Sequence, residues 1–383
     1  MLQSNLIPTI DPNPLPAPYW VFKLLLIVTF FLHIVAMNFM LGGTVLALVS
    51  KWRWRNQVNG NREFFDIAKK LPCFLPATIT LGIAPLLFVQ VLYGQFFYTS
   101  SIIMAWPWFL VLVFLTIAYY GLYYTSFQSR QHPGKAGAVL LFSLILFTCI
   151  GFIYSNNLTL AQAPSRWREK YFASPTGWHL NLSEPTLLPR FLHFMVAAVA
   201  VGGLLLVFMA LANWKRDREY AGQLFQFGGK AFMYATMAQI LVGIWFLISL
   251  PRDTRMLFMG DSVLATSLLM TGLAGGIAAI FLMSEALRKE NVRLAAYSVS
   301  GIIGVVILIM SIMRDILRDA TLAPFQTGQF AVQTQWSVLP LFLVLFLAGI
   351  VLWLVMLKRY GLFAGSKAAE PPLAADSQAA SQS

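Results

Sequence analysis

The sequence predicts an all-α, polytopic membrane protein: one helical bundle of about nine transmembrane helices, N-terminus outside and C-terminus cytoplasmic. Three observations predict it. Hydrophobic residues make up 58% of the 383-residue chain and charged residues only 11%. Mean hydropathy is +0.70, outside the range of an ordinary soluble domain. Apolar runs long enough to span a bilayer recur along the whole chain, with basic residues gathered in every second gap.

A spanning helix needs about 20 mostly apolar residues. The runs that meet this cover roughly 20–50, 72–98, 103–125, 136–155, 189–213, 230–250, 262–285, 293–314 and 337–358. Residues 1–19 carry no Lys or Arg and several prolines, unlike the basic start of a signal peptide, so they are expected to be an extracytoplasmic segment ahead of a retained first helix. Residues 20–360 are expected to form a single nine-helix transmembrane domain. From 361 to 383 the Ala, Ser, Pro and Gly content without apolar periodicity predicts a disordered cytoplasmic tail.

Orientation follows from the 27 Lys and Arg residues, because cytoplasmic loops carry the excess. One set of gaps holds Lys51, Arg53, Arg55, Arg62, Lys69 and Lys70, then Arg130 and Lys135, then Lys215, Arg216, Arg218 and Lys230. Arg288, Lys289 and Arg293 follow, and Lys358, Arg359 and Lys367 close the series. The net charge of +12 is therefore a topology signal and an attraction to anionic lipid headgroups. Spread over five loops, it argues against nucleic acid. Cys73 and Cys149 fall at or within helices and no C-x-x-C-H is present, which excludes covalent c-type haem attachment and argues against a disulfide. Walker, Rossmann, H-E-x-x-H and EF-hand patterns are also missing.

Two of the four histidines are candidates for chemistry. His33 lies in the apolar run after Lys23, and His193 in the run from Phe191 to Asn213. An ionisable residue inside a membrane is costly and is by default a functional candidate. Two in a chain so poor in histidine point to metal or haem, although a helix-embedded His also serves as interhelical glue. His193 lies ~8 Å and Met270 ~12 Å inside the outer boundary, so they are placed to face each other across a cofactor. A His and Met pair saturates haem iron for electron transfer, whereas a lone His, as at His33, leaves an exchangeable position. Met270 is one of 15 methionines, and flexible packing is the ordinary use of Met. His132 and His179 fall in loops and receive no role.

The run Leu32-His33-Ile34-Val35-Ala36-Met37-Asn38-Phe39-Met40-Leu41-Gly42-Gly43 resembles the first helix of subunit I of the cytochrome bd quinol oxidases, as does Gly82-Ile83-Ala84-Pro85 through Gly94 its second. Arg190-Phe191-Leu192-His193-Phe194 is similar to that family's K/R-F-x-H entry, and Met270-Thr271-Gly272-Leu273 to its M-V-G-L. The resemblance spans roughly 20–320. It implies His193 and Met270 as axial ligands of a low-spin b haem and His33 as a ligand in a high-spin pair, with one or two further haems of b or d type. It also implies quinol as electron donor, a second membrane subunit and a bacterial inner membrane.

The departures bear on activity. Gln90 stands where the family has a glutamate, and Trp108 to Tyr124 contains no acid. In place of G-R-Q-P-W stands Met313-Arg314-Asp315-Ile316-Leu317-Arg318-Asp319, where Asp315 precedes Arg318 by the family's Glu-to-Arg spacing. Asp315 is thus a candidate ligand of the second high-spin haem, with Met313 as a rival and an interfacial charge cluster as the alternative. The outer stretch between the sixth and seventh runs is only Pro251 to Ser262, so the larger outer segments are 156–188 and 315–336. The first of these gathers Arg166, Trp167, Arg168, Glu169 and Lys170, either as a solvated face or as a dock for an acidic periplasmic cytochrome. Three readings follow: a bd-like quinol-oxidising haem subunit, with or without terminal oxygen reduction; a non-oxidase paralogue passing electrons between quinol and a periplasmic redox partner; and a haem-free transporter or scaffold subunit. The last predicts paired intramembrane charges or broken helices at inverted-repeat positions.

Overall fold

The computed structural model describes residues 7–54, 61–326 and 329–360. Nine long helices run through them: α1 Tyr19–Arg53, α2 Leu71–Ile103, α3 Ala105–Gln128, α4 Pro133–Ala161, α5 Leu187–Asn213, α6 Arg218–Ser249, α7 Val263–Arg288, α8 Ser300–Leu322 and α9 Val338–Tyr360. Eight helical segments are long and apolar enough to cross a membrane. α9 adds a 23-residue helix whose described apolar stretch, Val338–Leu352, is shorter. The proposed tail at 361–383 lies outside the described residues.

The largest shift from the sequence expectation is in α6, which starts at Arg218 rather than near 230. Its first turns are too polar for a hydropathy window. Asp217 nevertheless starts the helix, accepting from the Tyr220 N–H at 3.1 Å and so satisfying an open donor. A second difference concerns 315–336, expected as an outer segment. Residues up to Leu322 continue α8, and Asp315 and Arg318 are buried.

α5 is the axis of the bundle, and its apolar stretch is the most buried of the candidate spans. With no hydrophobic driving force between helices in lipid, close backbone approach through small residues holds such contacts. Gly42 of α1 lies against the Ala198 carbonyl and Gly202 of α5, where any Cβ would collide with backbone. Gly203 of α5 meets Gly228 of α6 in the same way. α2 carries Pro76 and Pro85 and loses helical geometry at Tyr93 (φ −135°, ψ 29°).

The two ends differ in charge. At the basic end Arg62 donates to Asp217 at 2.7 Å, Arg218 pairs with Glu290 at 2.9 Å, and Lys51 bonds the Pro133 carbonyl, joining the loops after α1, α3, α5 and α7. The hydrogen bond from Arg62, with that from the Tyr220 N–H, holds the Asp217 carboxyl below the usual carboxylate range. At the opposite end Trp106 stacks on Trp178 and Arg166 pairs with Glu184 at 3.5 Å.

Candidate functional site

His33 sits on α1 fourteen residues after its start, about 21 Å along the axis. Its Nδ1 lies 3.0 Å from the Thr78 carbonyl of α2. A carbonyl oxygen only accepts, so Nδ1 carries the proton and Nε2 keeps its lone pair. This is the arrangement by which an outer partner orients a ligating imidazole. The Thr78 hydroxyl itself donates to the Phe74 carbonyl one turn earlier, at 2.8 Å. Gly82, one turn further on, makes room for the ring: a Cβ there would meet His33 Cε1 and Nδ1 at 2.8 Å.

His33 lines a cavity of about 320 Å³ between α1, α2, α3, α4, α5 and α8. Met37, Trp108, Tyr154, Asn157 and Arg314 share its wall, which is otherwise almost wholly apolar. That volume and chemistry suit a largely apolar guest fixed by few polar groups. Among the described lining residues there is no Asp or Glu. Elsewhere among the described residues, no three His, Cys, Asp or Glu side chains converge as a self-contained metal site.

His193 lies six residues into α5, about 9 Å from its start. Its Nδ1 is buried without a hydrogen-bond partner. Gly243 of α6 faces the ring, where a Cβ would come within 3.3 Å of Cε1, and Phe246 flanks it at 6.3 Å between centroids. Gln239, one turn before Gly243, also buries an unpartnered Oε1. Buried polar atoms are normally satisfied, and an exception asks for an unseen partner. The donor set of a basic imidazole nitrogen in an apolar wall fits haem iron at both histidines.

The remaining candidates are placed differently. Met270 stands on α7, 53% exposed and on the side away from the buried stripe of Gly272, Gly276, Ala279 and Met283. α7 packs chiefly on α6 and α8, so Met270 and His193 stand on helices that share little or no interface. Asp315 on α8 is buried, and both its oxygens are engaged: Oδ2 by Lys23 at 2.5 Å and Oδ1 by Arg318. Lys23 also reaches Asp319 at 2.6 Å and the Tyr93 hydroxyl at 2.7 Å, and that hydroxyl donates to Asp319. The charge-cluster alternative describes this arrangement, except that it is buried at Asp315. Met313 packs beside Leu317 and Phe258. Gln90 accepts from the Tyr98 hydroxyl at 3.2 Å.

Sequence reasoning quoted Arg190 and Arg314 in motifs but gave them no role, and passed over Lys23 and Tyr93. The available signal was the one used for the histidines, a charge inside an apolar run.

No protein-family model matches the sequence, and no curated protein matches it. Among solved structures the chain is similar to a chain of the bd oxidase from Geobacillus thermodenitrificans. The TM-score is 0.66 at 13% identity, over 89% of this chain and 98% of that one. At this identity the likeness carries the fold: a multi-pass helical bundle of the bd-oxidase kind.

Proposed function

We propose that the chain is a bd-like, haem-bearing subunit of a bacterial inner membrane that oxidises quinol near the outer end of its bundle. The observation that carries this reading is His33, whose Nδ1–H is tied to the Thr78 carbonyl while its ring opens on an apolar cavity. In the same reading His193 would hold a low-spin b haem, with the exposed thioether of Met270 as the candidate second ligand. A haem held by His and Met relays single electrons, whereas one held by His33 alone keeps a position open. Thr78 fixes the His33 tautomer, Gly82 and Gly243 leave room for the two rings, and the apolar walls exclude water. Asp315 is assigned to the ion cluster with Lys23 and Arg318 rather than to iron. The partners proposed are quinol, a second membrane subunit, anionic lipid at the basic end and a periplasmic cytochrome.

Within this reading a specific observation favours electron transfer over oxygen reduction. Reducing oxygen to water consumes protons, and a relay needs groups that ionise. The described wall of the His33 cavity offers no carboxylate, α3 has none, and Gln90 is neutral and bonded to Tyr98. The non-oxidase paralogue is therefore the second reading.

The test is a reduced-minus-oxidised optical spectrum of the purified protein with its haem extracted and quantified. The low-spin b band is expected to vanish in His193→Ala, to change shape in Met270→Leu, and to persist in His33→Ala. A low-spin band that survives His193→Ala overturns the ligand assignment. Folded protein without haem leaves the transporter or scaffold reading. Quinol-driven oxygen uptake by the wild type would restore the oxidase over the paralogue.

A further inference from the structure

Four cations and two carboxylates share the outer half of the bundle core, and the imbalance falls on two arginines. Lys23 and Arg318 are matched by Asp315 and Asp319. Arg190 and Arg314 are not. Arg314 of α8 lies over the Phe30 ring at 4.3 Å and has no ion-pair partner among the described residues. Arg190 of α5 is 8% exposed, bonds the Gln162 amide oxygen at 3.2 Å, lies over Phe246 at 5.2 Å and leaves its Nε unpartnered. Glu184 acts on Arg190 from a distance but is paired with Arg166 at 3.5 Å.

The two guanidiniums are within Coulombic range of each other, so the apo arrangement stacks like charge on burial cost. Unpaired charge in a low-dielectric core is retained where something neutralises it. The position of the pair says what. Arg314 lines the His33 cavity, and Arg190 precedes His193 by one turn on the same helix. Guanidinium offers planar, forked donors that match a carboxylate, and such bonds are the strong ones.

We infer that Arg190 and Arg314 are buried anion-binding groups, one beside each histidine, that bind carboxylate side chains of the haems held there. This rests on the haem reading above, and Arg314 is positioned to serve the His33 side while Arg190 serves the His193 side. Both are positioning residues: they hold the macrocycle's acidic edge and raise the electrostatic preference for the reduced state.

The test uses the purified holoprotein with Arg190→Gln, Arg314→Gln and the charge-keeping Arg314→Lys. Arg168→Gln, on the exposed outer loop, controls for loss of a cation. Haem transfer to excess apomyoglobin and the redox midpoint are measured for each. Loss of a charge-assisted pair is expected to speed haem loss about tenfold and lower the midpoint of the affected band. Arg314→Lys is expected to keep the wild-type midpoint, and Arg168→Gln both wild-type values. Unchanged haem loss and midpoint in both Gln variants, with the haem bands present, overturn the anion site and leave the proposed function standing. Folded wild type without haem overturns the proposed function instead. Anionic phospholipid bound to that protein and lost from Arg314→Gln would assign the guanidiniums to a lipid phosphate, overturning the carboxylate assignment.

Discussion

Lys23 shows how a single side chain sets the character of the outer end. It lies in the first turns of α1, an otherwise apolar helix, yet its ammonium reaches Asp315 at 2.5 Å and Asp319 at 2.6 Å from α8 and touches the Tyr93 hydroxyl of α2. One cation thus fastens three helices. Its side chain is 14% exposed and that of Asp315 9%, so solvent does little to replace either partner. Removing one member of a buried pair leaves a bare charge and costs about 3–5 kcal/mol, whereas removing both can be near neutral. Lys23→Met is therefore expected to lower the thermal midpoint of the detergent-solubilised protein markedly. Lys23→Met combined with Asp315→Asn is expected to recover much of the loss, because Arg318 then needs only Asp319 and Tyr93 nearby. A double variant as unstable as the single would mean that Asp315 is held for Arg318 alone. The sequence offered Asp315 as a ligand or a charge-cluster member and gave no way to choose. The choice depends on Lys23, nearly 300 residues away, and no local spacing encodes that.

Helices were legible where hydropathy alone decides them, and illegible where a cap or a neighbour does. The start of α6 at Arg218 depends on Asp217 closing an open N–H, a contribution that an apolar window does not register. The α1–α5 contact also depends on more than pattern. Gly42 stands in a run of glycine, threonine and leucine, but only the fold shows that it abuts the Ala198 carbonyl and Gly202. This crossing fixes the separation of the helices that carry His33 and His193. Gly42→Ala would push a methyl into backbone that cannot rotate away, and overpacking of this kind costs about 1–3 kcal/mol. Gly134, in the first turn of α4 with open space around it, provides the contrast. Differential scanning fluorimetry should give a lowered midpoint for Gly42→Ala and an unchanged one for Gly134→Ala. Equal midpoints would mean that α1 and α5 separate without loss and that the crossing does not hold the bundle.

At the scale of the whole molecule, both histidines could be picked out in the sequence because a polar ring in an apolar run is costly in any membrane fold. The arginine pair, the cavity and the separation of Met270 from α5 could not, since each depends on which helices pack together. Orientation depends on the sum of the loops. The ends are chemically distinct: one joins Lys51, Arg62, Arg218 and their loops, and the other presents Trp106, Trp178 and the 164–186 segment. The positive-inside rule assigns the first to the cytoplasm, where the retention of Lys and Arg and the anionic leaflet act in the same sense. This places His193, about 9 Å into α5 from the opposite end, near the outer side, as the proposed quinol oxidation with external proton release requires. Single cysteines test it in a Cys73→Ser, Cys149→Ser background, with Thr176→Cys at the tryptophan end and Gln131→Cys at the basic end, both exposed positions. A membrane-impermeant maleimide added to intact spheroplasts should label Thr176→Cys at once and Gln131→Cys only after lysis. The reverse pattern would put His193 and the arginine pair beside the cytoplasm, so that a quinol oxidised at that end would release its protons inside and the proposed coupling would fail.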